Sequence, residues 1–258
     1  MWTTRELAQK SEILAYLETD RLYAAYAIGD LEPGMFEQCR WAGAEERGQL
    51  QALALLFLGL KPPPLFLMGR NNGLRAILET VPYPRNVYLT CRMEHLATTQ
   101  SFFDWEETVA MWRMVLQPAC FRPVQAGSVR LLPNDLCQLS ALYDLGGGMA
   151  FDIRQVEHGF FSGIFVSGQL VAAAGTHLVS PTYSVAAVGN VFTHPDHRGQ
   201  GYGSATTSAV VAELLQRGIH DIVLNVSQEN LVAIRIYERL GFERYCAFLE
   251  GSATGHTE

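Results

Sequence analysis

The sequence predicts an α/β (α+β) fold, with a smaller N-terminal α/β domain followed by a second, more clearly patterned domain. Two observations predict this class. Short apolar runs of strand length alternate with stretches whose apolar residues recur at helical spacing. A glycine-rich loop at residues 198–203 also separates a predicted strand from a predicted helix, which marks an ordered strand–loop–helix unit in the second half.

The composition is that of an acidic globular protein. The 258 residues carry a net charge of −7 and a sequence pI of about 5.5, with 48% hydrophobic and 17% charged residues. Nucleic-acid and anionic-membrane surfaces both require a basic face, so this charge argues against those partners. The longest apolar run, residues 50–60, is shorter than the ~20 residues that a transmembrane helix needs.

The cysteines and the N-terminus indicate where the protein works. The five cysteines lie far apart and form no Cys-x-x-Cys pair, which is typical of reduced thiols rather than of disulfides or a zinc site. Residues 1–10 are polar and amphipathic, so no signal peptide is predicted. We therefore expect a cytoplasmic protein without a metal site.

The chain divides into three predicted segments: an N-terminal α/β domain at 1–126, a second domain at 127–250 and a disordered tail at 251–258. Residues 118–127 are the predicted linker. In the first domain the predicted elements are helices at 7–17, 74–79 and 105–116 and strands at 49–60, 65–68 and 86–90. In the second they are strands at 129–132, 163–166, 170–177, 183–193 and 221–226 and helices at 134–145, 151–158, 204–217 and 231–240.

The loop in the second domain carries glycines at alternate positions, Gly199, Gly201 and Gly203. Glycine lets a ligand approach the backbone N–H groups closely, because it has no side chain in the way. A helix that begins directly afterwards adds its own unpaired N–H groups and the positive end of its dipole. This combination predicts a phosphate or pyrophosphate site.

Three other interpretations of the loop can be tested against its sequence. A Walker loop requires Gly-Lys-Ser/Thr, and the loop has no lysine. A Rossmann fingerprint requires Gly-x-Gly-x-x-Gly, whereas the third glycine here comes one residue early. A purely structural loop stays open as the alternative, although the strand–loop–helix context disfavours it.

Two motifs together resemble one known family. Arg198, Gly201 and Gly203 fit the spacing Arg/Gln-x-x-Gly-x-Gly/Ala, and residues 233–242 resemble the closing helix of the same family. On these residues, the region 127–250 resembles the GCN5-related N-acetyltransferases (GNAT). The resemblance implies a mixed, mostly antiparallel sheet flanked by helices, and acetyl-CoA as cofactor.

The resemblance also implies roles for individual residues. The expected cofactor contacts are backbone groups of Val191, Phe192 and Thr193 along the pantetheine, and Arg198, Gly199, Gln200, Gly201, Tyr202, Gly203 and Ser204 around the pyrophosphate. Asn225 and Asn230 either bind the cofactor or serve only as a strand-end partner and a helix cap. The N–H of Phe192 is the expected oxyanion donor, and Tyr237 the expected acid for the leaving thiolate. For Tyr237, a purely structural aromatic in the core is the alternative.

No motif singles out a general base for the attacking amine. The candidates are Asp152, Glu157, His158 and His177, with Asn190 as a further polar residue near the acyl group. For each of them an ordinary surface, core or strand role is the favoured alternative. His194 and His197 flank Pro195 and Asp196, which indicates a turn rather than a metal site.

These features predict an enzyme that moves an acetyl or other acyl group from coenzyme A to a primary amine of a small molecule or protein. The alternatives are a non-catalytic acyl-CoA sensor and a purely structural protein. Residues 1–126 carry no chemical motif, and their arrangement permits a degenerate copy of the same fold. The acceptor, the acyl length and the oligomeric state, a homodimer included, are left open.

Overall fold

The computed structural model describes residues 1–125, 127–147, 151 and 153–256. The described helices, in chain order, are α1 (Lys10–Leu17), α2 (Ala25–Gly29), α3 (Asn71–Thr80), α4 (Leu96–Thr99), α5 (Leu136–Tyr143), α6 (Arg154–His158), α7 (Tyr202–Gln216) and α8 (Leu231–Leu240). The described strands are β1 (Trp2–Glu6), β2 (Cys39–Glu46), β3 (Gln49–Phe57), β4 (Pro64–Gly69), β5 (Asn86–Arg92), β6 (Phe103–Trp105), β7 (Val109–Leu116), β8 (Val129–Leu131), β9 (Phe161–Val166), β10 (Gln169–Ser180), β11 (Val185–Thr193), β12 (Asp221–Ser227) and β13 (Phe242–Gly255).

The chain forms two compact units. The first contains Met1–Trp112 and Cys246–Glu258, and the second contains Arg113–Tyr245. The two boundaries fall within β7 and β13. The fold class is confirmed, since helices flank sheets in which most neighbouring strands are antiparallel.

The first unit is a sheet in the order β1-β2-β3-β4-β5-β13, with β6 paired to β13. All of these neighbours are antiparallel except β4 and β5, which are parallel. Helix α3 connects that parallel pair and packs against β1, β2 and β3. Its fully buried Leu74 and the adjacent Ile77 and Leu78 join the alanines and leucines of β2–β4 in one core cluster.

The second unit has the strand order β8-β9-β10-β11-β12. The first four strands form an antiparallel meander, and β12 joins β11 in parallel through the crossover helix α7. Helix α7 packs on β9, β10 and β11, with Val210, Val211 and Leu214 completely or almost completely buried. Helix α5 covers β10 through a second cluster that includes Leu139 and Leu142.

The predicted helix at 105–116 is wrong: this segment forms the strands β6 and β7. Methionine, tryptophan and leucine occur in buried strands as well as in helices, and a short apolar segment does not separate the two by periodicity alone. Strands β1 and β2 were missed for the opposite reason, because Arg5, Glu6, Glu45 and Glu46 dilute their apolar content.

The predicted disordered tail is wrong for residues 251–255, and residues 257 and 258 lie outside the described part of the chain. Residues 251–255 are the end of β13. Residues 251–254 pair with Leu89 to Asn86 of β5, and Gly251, Ala253 and Gly255 are buried. This pairing joins segments about 160 residues apart, so local composition does not reveal it. The predicted boundary after residue 126 and the predicted linker at 118–127 both lie within the second unit, which begins at Arg113.

Within the part of the chain that the structure describes, no helix combines the length and apolar character that crossing a membrane requires.

Candidate functional site

A gap opens between two parallel strands of the second unit. The register of β11 with β12 runs from Val185 opposite Asp221 to Val188 opposite Leu224 and ends there. Strand β11 continues to Thr193 with β10 as its neighbour. Beyond Val188, no described strand pairs with the edge of β11 that faces β12. The backbone groups along this edge are therefore available to a ligand. An extended chain with amide groups can bind such an edge as an added strand.

The direction of the N–H groups along this edge follows from one hydrogen bond. The His194 N–H donates to Val171 O at 2.8 Å, towards β10. Because successive N–H groups of a strand point to opposite edges, that of Thr193 faces the gap and that of Phe192 faces β10. Phe192 is paired with Ala173 of β10. The expectation that the Phe192 N–H serves as oxyanion donor is therefore wrong, since that group belongs to the β10–β11 ladder.

A bulge interrupts β11 at Asn190 and Val191. These two residues lie opposite the single residue Ala174, because the register passes from Phe192–Ala173 to Gly189–Gly175. Asn190 has φ of 52°, a left-handed conformation that asparagine tolerates better than most residues. Val191 therefore shares Ala174 with Asn190 and lies at the inner end of the gap.

The glycine-rich loop is open to solvent where the sequence predicts a ligand. Gly199 and Gly201 have φ of 78° and 80°, and a Cβ added at either position would meet no atom within 4 Å. Packing within the protein therefore does not explain these glycines. Their left-handed turns leave the loop backbone bare, as a phosphate cradle requires.

The N-terminus of α7 follows this loop directly. Gly201 is the N-cap, and the Ala205 N–H is the first to bond back, to Gly201 O at 3.0 Å. The N–H groups of Tyr202, Gly203 and Ser204 precede it, and the first turn of a helix leaves such groups without an intrahelical acceptor. They point out of the positive end of a 15-residue helix, which favours a bound anion.

Arg198 brings a positive charge to the same place. Its side chain is exposed, its Nε donates to Thr193 O at 3.4 Å, and its guanidinium lies 5.9 Å from the centre of the Phe192 ring. Gln200 is exposed on the loop as well. Gly203 faces the strand, since a Cβ there would lie 3.4 Å from Thr193 Oγ1 and 4.0 Å from Val191 Cγ1. Strand, loop and helix start are thus adjacent.

The two asparagines of the second motif differ in their surroundings. Asn225 follows directly after the last β11–β12 pair, and its Oδ1 is buried without a hydrogen-bond donor among the described residues. An orphaned buried oxygen is unusual, and here it borders the gap. Asn230 caps α8, with its Oδ1 accepting from the Ala233 N–H at 3.1 Å. The predicted capping role of Asn230 is confirmed, and its role towards a cofactor stays a prediction.

Tyr237 lies on the buried face of α8 with Ile234 and Leu240. The centre of its ring lies 6.1 Å from that of the Phe242 ring. Burial raises the pKa of Tyr237 to about 12. The phenol is therefore protonated throughout the physiological range and can act as a proton donor.

The structure does not single out one of the candidates for the general base. Glu157 and His158 are exposed on α6, and Asp152 lies outside the described residues. Burial lowers the pKa of His177 to about 4, with a further lowering by the charge of Arg113, partly offset by a hydrogen bond to Asn190. His177 is therefore neutral at physiological pH and too weakly basic to hold a proton there.

The histidines at the loop entrance shape a turn. His194 Nδ1 accepts from the Asp196 N–H at 3.2 Å and caps the short 3₁₀ turn at Pro195–His197. No cluster of three or more His, Cys, Asp or Glu side chains suited to a metal ion occurs among the described residues.

Two residues next to the bulge were missed by the sequence reasoning. The Tyr143 hydroxyl donates to Asn190 O at 2.6 Å, and Asn190 Nδ2 donates to Gln155 Oε1 at 2.9 Å. Tyr143 reads as an ordinary core residue at the end of an amphipathic helix, and Gln155 as a surface residue. The sequence contains no signal for either contact, because each joins positions more than 30 residues apart.

Comparison with known proteins agrees with this geometry. The family model described as the acetyltransferase (GNAT) family matches residues 132–242, which include the gap, the loop, α7 and α8. A mycothiol acetyltransferase of Saccharomonospora viridis is 36% identical over 91 residues, a match that covers 33% of this chain and 30% of that protein. The shared segment is therefore less than a third of that relative's length.

Solved structures share the fold over nearly the whole chain. A Drosophila protein superposes with a TM-score of 0.71 at 13% identity, covering 97% of this chain and 98% of its own. A tandem GNAT protein from the clavulanic acid biosynthesis pathway superposes with a TM-score of 0.61 at 14% identity and covers 100% of both chains. With its loop and helix start in place and its sequence matched by the family model, the segment 132–242 is a GNAT domain.

Proposed function

We propose that this protein transfers an acetyl group from acetyl-CoA to a primary amine by direct attack of the amine on the thioester. The observation that carries the proposal is the pair of left-handed glycines, Gly199 and Gly201, which open into empty space between the end of β11 and the start of α7. Ordinary turn glycines such as Gly168 are equally bare, but these two lie directly before the N-terminus of a 15-residue helix. A pyrophosphate fits this position, because N–H groups and a helix dipole converge there.

The gap beside β11 fits the rest of the cofactor. The Thr193 N–H faces the gap and can bind an amide of the pantetheine arm as a neighbouring strand would. Asn225 Oδ1, buried and unpaired, can accept from a second amide of that arm. The arm would then run from the loop towards the bulge and bring the thioester to Val191.

At the thioester, the residue that we propose as oxyanion donor is Val191. Val191 lies two residues before Thr193, so its N–H faces the gap by the same alternation and is available to the carbonyl oxygen as negative charge develops there. The amine must attack in its uncharged form and form a bond to the carbonyl carbon. When the C–S bond breaks, the thiolate, whose conjugate thiol has a pKa near ~8.5, takes a proton from the Tyr237 hydroxyl. The nitrogen that attacked loses its extra proton to solvent, and the Tyr237 phenolate takes up a proton from solvent, so the phenol is restored and the products are the amide and free CoA.

The acceptor is proposed to be a small molecule. The curated relatives are named for acetylation of mycothiol, which favours a small-molecule acceptor over a protein chain. The polar side chains at the bulge, Asn190 and Gln155, are joined to each other by a hydrogen bond of 2.9 Å and can orient a hydroxyl or amide of that acceptor.

We propose that the first unit is a degenerate copy that binds no acyl-CoA. It has the same succession of a strand, a helix and a parallel strand, in β4, α3 and β5. The two glycines at the start of α3 are packed, however: a Cβ on Gly73 would lie 2.6 Å from Ala52 Cβ, and one on Gly69 would overlap the Tyr16 hydroxyl. No bare backbone like that at Gly199 and Gly201 exists at this helix start.

The free cysteines support the proposal that the protein works in a reducing compartment. All five are free thiols, and Cys120 and Cys137 are exposed. Exposed free thiols persist in the cytoplasm and are oxidised outside it, which supports a cytoplasmic enzyme.

The proposed function is tested by incubating the protein with acetyl-CoA and a pooled library of primary amines, followed by mass spectrometry. We expect an acetylated amine, formed together with free CoA in equal amount and absent when the protein is omitted. If acetyl-CoA binds but no pool yields a product, the enzyme is refuted and a non-catalytic acyl-CoA sensor takes its place. If acetyl-CoA does not bind, the cradle itself is misassigned.

A further inference from the structure

The Asn190–Val191 peptide is held by a side chain that has no other apparent chemical use. The Tyr143 hydroxyl donates to Asn190 O at 2.6 Å, a short hydrogen bond between two residues that are 5% and 8% exposed. The same planar peptide carries the Val191 N–H. Because the C=O and N–H of a trans peptide point in opposite directions, a clamp on the carbonyl also fixes the N–H.

We propose that Tyr143 is a positioning residue of the acyl-transfer site, whose hydroxyl holds the Asn190–Val191 peptide so that the Val191 N–H meets the thioester oxygen. The inference rests on the proposed function and adds a residue to it. A hydrogen bond to the carbonyl also polarises the peptide, which makes its N–H a stronger donor. Tyr143 thus acts through Val191 and touches no reacting atom.

The Tyr143 side chain is fixed from several directions. It is the last residue of α5, and its ring lies 5.0 Å from that of Phe151 and 6.4 Å from that of Phe192. Its own carbonyl accepts from the N–H groups of Gly146 at 3.0 Å and Gly147 at 2.9 Å. Burial raises the pKa of Tyr143 well above that of a free phenol, so the hydroxyl is always a donor.

A second clamp acts on the same bulge. Asn190 adopts the left-handed conformation at φ of 52°, which a non-glycine residue adopts at a cost. Its Nδ2 donates to Gln155 Oε1 at 2.9 Å, while Gln155 Nε2 donates to His177 O at 3.5 Å. The side chain of Asn190 is thus anchored to α6 and its carbonyl to α5. Two anchors on one residue stabilise a backbone that would otherwise relax.

The first test is Tyr143→Phe, which removes the hydroxyl and keeps the ring. We expect kcat to fall about tenfold, a part of the roughly 10²–10³-fold that loss of an oxyanion donor costs. The KM and Kd for acetyl-CoA should stay within about twofold of the wild-type values. The substitution does not touch the glycine-rich loop or the Thr193 N–H that faces the gap.

The matched control is Tyr23→Phe in the first unit. Tyr23 is 1% exposed, and its hydroxyl also donates to a backbone carbonyl, Leu67 O, at 3.1 Å. Both variants should lose similar stability, and only Tyr143→Phe should lose kcat. Equal loss of kcat in both, or an unchanged kcat in Tyr143→Phe, overturns the proposal.

A second measurement does not depend on turnover. In ¹⁵N-labelled protein, the Val191 amide resonance should shift in Tyr143→Phe, and it should not shift in Tyr23→Phe. If the wild type acetylates no amine, the proposed function fails, yet this shift still tests whether Tyr143 holds the peptide. An unmoved Val191 resonance overturns the positioning role even where the enzyme is active.

Discussion

The imidazole ring of His177 lies directly over Gly189, where a Cβ would overlap its Nε2, Cε1 and Cδ2 atoms. His177 is an extra residue in β10, between the pairs Thr176–Val188 and Leu178–Ala187. Gly189 precedes the bulge of β11 at Asn190. The irregular parts of β10 and β11 therefore fit together because the His177 ring packs on the Cα of Gly189. This contact lies two residues before Val191, the proposed oxyanion donor.

This contact predicts the effect of Gly189→Ala. The added methyl group must displace the His177 ring, and overpacking of this kind destabilises by about 1–3 kcal/mol. Chemical denaturation followed by circular dichroism measures the loss. In the double variant with His177→Ala the clash is absent, so the loss should be clearly smaller than the sum of the two single losses. Simple additivity would show that the ring does not pack there.

The loop proposed to hold the cofactor was predictable because its signals are local. Gly199, Gly201 and Gly203 identify the loop by spacing alone, and the following helix begins within one residue of the last glycine. The cap at Asn230 and the glycine stop at Gly241, which has φ of 105°, are equally local. Each depends on neighbours three or four residues away, and helix physics relates those directly to the sequence.

The contacts behind the proposed catalytic roles were not predictable, because they depend on pairing between distant segments. That the Phe192 N–H faces β10 follows only from the register with Ala173, which no local pattern specifies. The contact of Tyr143 with Asn190 spans 47 residues. Whether residues 109–116 form a strand or a helix also depends on the surrounding sheet, since Met111, Met114 and Leu116 suit a helix equally well.

Asn225→Leu is predicted to stabilise the protein without cofactor and to weaken the binding of acetyl-CoA. Leucine has a similar shape and removes the unpaired buried Oδ1, so the protein without cofactor should gain about 1 kcal/mol of unfolding free energy. Acetyl-CoA should bind more weakly, because the acceptor for its arm is lost. Thermal denaturation and calorimetry measure the two effects.

Thr207→Val is the matched control for Asn225→Leu. Thr207 Oγ1 is another buried oxygen without a partner among the described residues, and it lies within α7. Its loss should also stabilise the protein while leaving the Kd for acetyl-CoA unchanged. Equal weakening of binding in both variants would assign the effect to general changes in the fold.

Gly201→Asp is predicted to abolish acetyl-CoA binding. The new carboxylate would occupy the open space of the cradle and repel the pyrophosphate. Gly168→Asp is its control, because Gly168 has φ of 81°, also has no atom within 4 Å of an added Cβ, and lies in the turn between β9 and β10. Calorimetry should give no binding for the first and normal binding for the second. Residual binding in Gly201→Asp would contradict the assignment of the cradle.

Tyr237→Phe is predicted to leave acetyl-CoA affinity nearly unchanged and to slow turnover by about 10²–10⁴-fold, the usual contribution of a general acid. Tyr245→Phe, at an exposed tyrosine of the same unit, should be neutral. With the pKa of Tyr237 at about 12, the phenol keeps its proton as the acceptor amine loses its own. The wild-type rate should therefore rise with pH as the amine deprotonates and show no alkaline fall up to about pH 10. A fall near neutrality would mean that a different group, with a much lower pKa, supplies the proton to the thiolate.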